Sequence, residues 1–95
     1  MLTVTVEAAV APDDTAKVIA LFENHAPAVR DMPGCTRYDL YREAGGGETI
    51  LILQHWISDE AFGAYRRSEA FLALAAGLKP IMTDVPVTTI SEVAR

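Results

Sequence analysis

The chain opens with a strict alternation of apolar and polar side chains over residues 2–10. A period of two is the pattern of a strand with one face buried. The apolar face consists of Leu2, Val4, Val6, Ala8 and Val10. Pro12 ends this strand, and Asp13 or Asp14 is expected to cap a following helix, because a short acidic side chain can accept hydrogen bonds from the free N–H groups of a first helical turn.

The next segment repeats apolar residues at helical spacing as far as about Asp31. The stripe consists of Val18, Ile19, Phe22, Ala26 and Val29. This spacing predicts an amphipathic helix with one face turned to a core. Pro27 has no N–H for the helical hydrogen-bond ladder, so a kink is expected there.

Two strands follow, joined by a run of glycines. Residues 35–43 are rich in Tyr and Thr, which is typical of a strand, and Gly45 to Gly47 predict a hairpin turn. The third strand, residues 48–57, is apolar on both faces along most of its length. Strands of that kind lie in the middle of a sheet, covered on both sides.

A second helical region and a last strand complete the pattern. Ser58 and Ser68 each precede acidic residues, which predicts a helix broken near residue 67 and resumed to about Leu78. A last strand is expected near residues 85–94. The order β-α-β-β-α-β is the ferredoxin-like pattern of an α+β protein, with both helices on one face of an antiparallel sheet. A length of 95 residues fits a single domain, residues 1–95.

Composition and charge narrow the expected partners. Hydrophobic residues make up 51% of a chain of 95 residues, more than so small an interior can bury, so a homodimer is expected. Thirteen acidic against eight basic residues give a net charge of −5 without a basic stripe, so we expect neither nucleic acid nor an anionic membrane surface as a partner. No apolar run is long enough to span a bilayer and no leader is apparent, so the expected location is cytoplasmic.

The pattern gives little support to metal or nucleotide chemistry. Cys35 is the only cysteine, and His25 and His55 stand 30 residues apart without an acidic partner at ligand spacing. The triple glycine belongs to the predicted hairpin and lacks the lysine and helix of a phosphate-binding loop. We therefore expect no metal and no cofactor.

Several short motifs together resemble the antibiotic biosynthesis monooxygenase (ABM) family. They are Pro33-Gly34-Cys35 with Tyr38, the segment Trp56-Ile57-Ser58-Asp59-Glu60-Ala61-Phe62, and Tyr65, Ser68 and Phe71. Their order and spacing carry the likeness over nearly the whole chain. The resemblance implies a dimeric α/β barrel with a pocket between sheet and helices in each subunit. Activities in the family include oxygenation of polycyclic phenols and quinols without metal or flavin, and haem breakdown, and many members have no known activity.

The chain departs from both of those branches. The haem-degrading branch carries an Asn in the first strand, a Trp in the second helix and a helical His, where this chain has Thr5 and Glu7, Tyr65 and Ala75. Haem is therefore not expected. Many quinol-oxidising members have a Glu two residues before the strand Trp and a His in the following helix, where this chain has Gln54 and again Tyr65.

The resemblance implies a small aromatic quinol, phenol or anthrone as substrate, with O2 as the second reactant. Such oxygenation needs an apolar pocket, a proton acceptor and donors that hold the developing oxyanion. The candidate catalytic residues are His25, His55 and Tyr65. The candidate substrate-binding residues are Trp56, Gln54, Ile52, Tyr38, Phe22 and Phe62.

Ordinary packing competes with function at each of these positions. Trp56 is equally well explained as a core residue, and Tyr65 as an amphipathic residue at the rim of a pocket. His55 points away from Trp56 and is better explained by a dimer interface, and His25 by an exposed helix surface. We expect a cofactor-independent monooxygenase, with two alternatives: a non-catalytic dimeric small-molecule-binding protein, and a stress-response dimeric α/β barrel.

Overall fold

The computed structural model describes residues 1–45 and 47–92. The strands are β1 (Leu2–Ala9), β2 (Cys35–Arg42), β3 (Thr49–Trp56) and β4 (Val87–Glu92). The helices are α1 (Thr15–Arg30), α2 (Asp59–Arg66) and α3 (Glu69–Leu78), with short 3-10 turns at Pro12–Asp14 and Lys79–Ile81. This order confirms the predicted α+β, ferredoxin-like pattern.

The four strands form one antiparallel sheet in the order β2-β3-β1-β4. β3 lies inside the sheet, as its apolar sequence on both faces predicts. The register places Val4 of β1 between Gln54 of β3 and Ile90 of β4, so these three side chains share one face. Directly opposite residues of antiparallel strands point the same way, and this relation decides which side chains reach the helices.

The core lies between the helices and the sheet face that carries Val4. The buried apolar residues are Leu2, Val4, Ala8, Val10, Val18, Phe22, Ala26, Val29, Tyr38, Ile50, Ile52, Trp56, Phe62, Tyr65, Leu74 and Leu78. The opposite face carries Leu51, Leu53 and His55, which are only half-buried. No element within the described ranges covers that second face.

At the start of two of the three helices, the predicted capping side chain accepts a backbone hydrogen bond. The Ser58 and Ser68 hydroxyls accept hydrogen bonds from the N–H groups of Ala61 and Phe71, each at 3.1 Å. Asp14 occupies the N-cap of α1 without a side-chain hydrogen bond, because a 3-10 turn precedes the helix there. The prediction of an acidic cap was therefore wrong. α1 continues through Pro27 to Arg30 without interruption.

β4 begins later than the sequence suggested. It begins at Val87, not at residue 85, because Pro86 has no N–H for a ladder hydrogen bond. Its predicted end at residue 94 lies outside the described residues, as does Gly46 of the predicted glycine turn. The hairpin between β2 and β3 is closed by the N–H of Glu43, which donates to the Thr49 carbonyl at 3.0 Å. Every described residue of β4 is exposed.

Candidate active site

An apolar cavity of about 160 Å³ lies between the sheet and α3. Its buried floor is formed by alternate residues of β3, and its mouth lies where the exposed residues Ala75, Pro86 and Thr88 meet. The described residues that line it are Val6, Ala8, Ile50, Ile52, Gln54, Tyr65, Phe71, Leu74, Ala75, Leu78, Met82, Pro86 and Thr88. None of these thirteen side chains carries a charge at neutral pH.

Gln54 is the polar group of the floor. It is only 2% exposed, and its Oε1 accepts a hydrogen bond of 2.9 Å from the indole nitrogen of Trp56. Because an indole N–H can only donate, this contact also fixes which end of the amide is oxygen. Within residues 1–45 and 47–92 no hydrogen bond from the Nε2 of Gln54 is found, and this atom is not among the fully enclosed unpaired atoms, so it retains some accessible surface. Since Gln54 lines the cavity, its two N–H bonds are available to a guest molecule.

Trp56 supports the floor from behind. It is fully buried, does not line the cavity, and stacks on Tyr65 with ring centres 5.0 Å apart. Tyr65 in turn meets the edge of Phe71 on α3 at 5.2 Å. The three rings connect β3, α2 and α3, and such contacts add to the apolar burial that holds the wall in place.

Tyr38 and Tyr65 form a buried pair of hydroxyls 2.8 Å apart, and either one can be the donor. Burial raises the pKa of Tyr38. Burial, together with the neighbouring Tyr38 hydroxyl, raises the pKa of Tyr65 much further. Both phenols therefore stay protonated at neutral pH, and Tyr65, which lines the cavity, can serve as a neutral hydrogen-bonding group but not as a base.

The two histidines lie away from the cavity. The Nδ1 of His25 is 2.8 Å from the carbonyl oxygen of Leu21, so this ring is turned back onto its own helix. His55 stands opposite Thr3 and Arg37 on the second sheet face, because a strand alternates its side chains. Neither of the two candidate catalytic histidines, His25 and His55, lines the cavity that contains Gln54.

The other predicted site residues divide into two groups. Ile52, Gln54 and Tyr65 line the cavity. Trp56, Tyr38, Phe22 and Phe62, which were predicted to contact substrate, are buried in the aromatic core and do not line this cavity. Tyr38, for example, stacks on Phe22 with ring centres 4.9 Å apart.

Sequence reasoning missed most of the wall. Val6, Ala8 and Ile50 share the face of Gln54, so the alternation of β1 and β3 could have indicated them. Pro86 and Thr88 could not be found this way, because their position depends on how β4 pairs with β1.

Two general properties of the described chain bear on its chemistry. Among residues 1–45 and 47–92, no group of three or more His, Cys, Asp or Glu side chains is arranged to hold a metal ion. Within the same ranges, no helix is long and apolar enough to cross a membrane.

Solved structures share this fold over the whole chain. A proposed antibiotic biosynthesis monooxygenase from Nitrosomonas europaea superposes with a TM-score of 0.93 and 16% identity, covering 100% of both chains. A second one, from Caulobacter crescentus, superposes with a TM-score of 0.92 and 24% identity, covering 99% of this chain and 90% of that one. At these identities the likeness establishes the fold alone.

Sequence comparison with curated proteins finds a more similar segment. A protein named haem oxygenase (mycobilin-producing), from two strains of Mycobacterium tuberculosis, is 39% identical over 54 residues. The match covers 57% of this chain and 51% of the relative, so the chain spans about half the length of the curated relatives it matches.

The cavity described above does not fit haem. Its volume of about 160 Å³ is close to that of an engineered cavity of about 150 Å³ that takes one benzene ring, whereas haem is a macrocycle of four pyrroles. The lining contains no histidine to hold iron and no lysine or arginine to pair with the propionates. The position where haem-degrading relatives carry a histidine is near Ala75, whose side chain is a methyl group.

The family of this chain is established by how much of its sequence matches one family model. The model of the family described as antibiotic biosynthesis monooxygenase matches residues 1–77, most of the 95-residue chain. The matched part includes β1 to β3 and nearly all of α3, and therefore most of the cavity wall. The chain belongs to the antibiotic biosynthesis monooxygenase family.

Proposed function

We propose that the protein is a cofactor-independent monooxygenase that oxidises a small phenol, quinol or anthrone with O2 in the cavity between the sheet and α3. The observation that carries the proposal is the free amide N–H pair of Gln54, held toward an apolar cavity by Trp56. A donor fixed in apolar surroundings stabilises charge on a reacting oxygen more than it would in water, where solvent must reorganise. Membership of a monooxygenase family supports the same reading.

The reaction draws all its electrons from the organic substrate. The phenol loses a proton, its anion passes one electron to O2, and the two radicals combine. For a simple phenol, one O2 gives one quinone and one water: one oxygen atom enters the ring, the other leaves as water, and the ring is oxidised by four electrons. Gln54 would hold the inner oxygen of the substrate. In a hydroquinone, the hydroxyl opposite that oxygen faces the mouth and would give its proton to water there, because the described residues of the wall include no carboxylate or histidine.

Oxygen uptake tests the proposal directly. Purified protein is mixed with single-ring and fused-ring hydroquinones, phenols and anthrones in an oxygen electrode, against the same compounds alone. We expect uptake above autoxidation with at least one compound, and a loss of about 100-fold in Gln54→Leu, the typical effect of removing one oxyanion donor. Leu72→Ala is the control, because Leu72 is on the exposed side of α3 and outside the cavity wall. Uptake equal to autoxidation with every compound, or unchanged rates in Gln54→Leu, would refute it.

The second candidate is a protein that binds a small aromatic molecule without turnover. One observation favours it: among the described residues of the wall, the only ionisable group is Tyr65, whose raised pKa excludes it as a base. Trp56 is the single tryptophan and lies behind the floor, so its fluorescence reports on binding. A fluorescence response to compounds that cause no oxygen uptake would select this candidate.

We also propose a homodimer, in which a second copy covers the open sheet face. That face exposes part of Leu51, Leu53 and His55 in the middle strand, and β4 adds the largely exposed Val87. Sedimentation should therefore give a particle of twice 10.3 kDa at micromolar concentration. A stable 10.3 kDa species would exclude the dimer.

A further inference from the structure

We infer that the cavity selects a single-ring aromatic compound that is uncharged when it binds and carries a hydrogen-bond-accepting oxygen. This inference rests on the cavity of the proposed function and narrows its substrate class. It combines three independent features of the described wall: the volume of the cavity, the absence of charge on its lining, and the position of the buried amide donor of Gln54.

Volume limits the guest to one ring. The cavity has about 160 Å³, close to the engineered cavity of about 150 Å³ that binds benzene and stays free of water. Its floor and sides are made by buried residues, among them Ile52, Leu74 and Leu78. Protein interiors are close-packed and resist expansion, so a fused second ring would require α3 to move.

Charge limits the guest to a neutral molecule. Among the described residues no cation lines the cavity, so a bound carboxylate would lose its hydration and regain only neutral donors such as the Gln54 amide. A phenol ionises near pH 10 and therefore enters in its neutral form at pH 7. Negative charge then develops on its oxygen only during reaction. This is the stage at which a preorganised donor stabilises the reacting oxygen more than it stabilises the neutral bound phenol, and so lowers the barrier.

The donor sets the orientation of the ring. Gln54 lies on β3 and Thr88 on β4, with β1 between them, so the two positions are about 10 Å apart across the sheet. Gln54 is at the buried end and Thr88 at the mouth. An oxygen that accepts from Gln54 therefore points inward, and the opposite edge of the ring faces the mouth.

Anaerobic calorimetric titration tests the inference without turnover. Benzamide and benzoate form one matched pair, equal in size and different in charge. Hydroquinone and 1,4-dihydroxynaphthalene form the second, equal in function and different in size. Phenol and toluene form the third, which differ in the accepting oxygen. We expect the first member of each pair to bind at least threefold more tightly, and benzamide to exceed benzoate by more than tenfold.

Two variants test the location. Gln54→Leu should weaken phenol about three- to tenfold and leave toluene unchanged, because one neutral hydrogen bond is lost. Ala75→Phe should abolish binding of both, since Ala75 is an exposed residue at the mouth where a large side chain can block entry without disturbing the core. Leu72→Ala should bind like the original protein.

The outcomes separate this inference from the proposed function. The expected selectivity without oxygen uptake would leave the inference standing and refute the oxygenase. Equal binding of benzoate and benzamide, or of the naphthalene and benzene diols, would overturn the inference, even if a fused-ring quinol proved to be a substrate. Binding that survives Ala75→Phe would overturn it as well, by placing the ligand elsewhere.

Discussion

Trp56 fixes the orientation of Gln54 from two residues further along the same strand. Alternate residues of a strand point to one face, so the indole nitrogen lies within 2.9 Å of the amide oxygen, and both side chains are at most 2% exposed. Trp56 thus makes a hydrogen bond in addition to its packing contacts. It satisfies the amide oxygen and leaves the amide nitrogen for the cavity.

Replacing the tryptophan should reveal this coupling in the free energy of unfolding. Trp56→Phe removes the donor and leaves the Gln54 oxygen buried without a partner, which costs about 1–3 kcal/mol in addition to the lost ring volume. In a Gln54→Leu background the indole N–H has already lost its acceptor and no amide oxygen remains, so Trp56→Phe leaves no polar atom unpaired and should cost less. Urea unfolding of the two single variants and the double variant measures the difference. Strictly additive losses would show that the hydrogen bond does not couple the two residues.

The hydroxyl pair of Tyr38 and Tyr65 should make the fold sensitive to alkaline pH. Their folded pKa values are raised above the ordinary 10.0 by burial. Below pH 10 both residues are protonated in the folded and the unfolded chain, so their contribution to stability is constant. Above pH 10 the unfolded chain releases these protons first, and stability falls as the pH rises.

Unfolding titrations at pH 8 to 11.5 measure this dependence. The matched control is the double variant Tyr38→Phe with Tyr65→Phe, in which the alkaline decline should be distinctly shallower. Absorbance of ionised tyrosine should show that two of the three tyrosines resist ionisation until the protein unfolds. A double variant that loses stability just as steeply would assign the decline to other groups.

The turn before β2 should tolerate no side chain at Gly34. Its φ is +86°, and an added Cβ would lie 2.5 Å from the Cβ of Ala61 in α2. Gly34→Ala therefore combines a left-handed backbone, at about 1–2 kcal/mol, with a steric clash at about 1–3 kcal/mol. Gly45→Ala is the matched control, because its φ of +82° is similar but no described atom lies within 4 Å of the added Cβ. Equal midpoints in urea for the two variants would show that α2 yields to the new methyl group.

The architecture was predictable from the sequence because local patterns determine it. The apolar run of β3 indicated an interior strand, and it lies between β2 and β1. The serines at positions 58 and 68 indicated helix starts, and both accept the expected backbone hydrogen bond. Asp14 shows the limit of predicting caps from residue type. The chain there forms a 3-10 turn before the helix, and the Asp14 side chain accepts no hydrogen bond from a backbone N–H of α1.

The candidate site was only partly predictable because it depends on geometry between distant segments. Alternation correctly grouped Gln54 with Trp56 and sent His55 to the other face. It could not distinguish a residue that lines the cavity from one that backs it, and Trp56 proved to be the second kind. Nor could it place Thr88, which reaches the mouth through the pairing of β4 with β1.

Ser68 caps α3, the helix that contributes most residues to the cavity wall outside the sheet. Its replacement should therefore affect both the free energy of unfolding and the binding of phenol. Its hydroxyl accepts from the N–H of Phe71 at 3.1 Å and donates to the carbonyl of Tyr65 at 2.6 Å. Ser68→Ala should lower the free energy of unfolding by about 1 kcal/mol. It should also weaken binding of phenol, because the loosened first turn of α3 carries Phe71 at the cavity wall.

Ser58→Ala is the control that isolates the second effect. Ser58 caps α2 with an equal bond of 3.1 Å, so its loss should cost a similar free energy of unfolding. Because α2 contributes only Tyr65 to the wall and α3 contributes Phe71, Leu74, Ala75 and Leu78, phenol binding should weaken less in this variant. Anaerobic calorimetry on the two variants decides the matter. An equal loss of affinity in both would mean that binding follows overall stability, not the local order of α3.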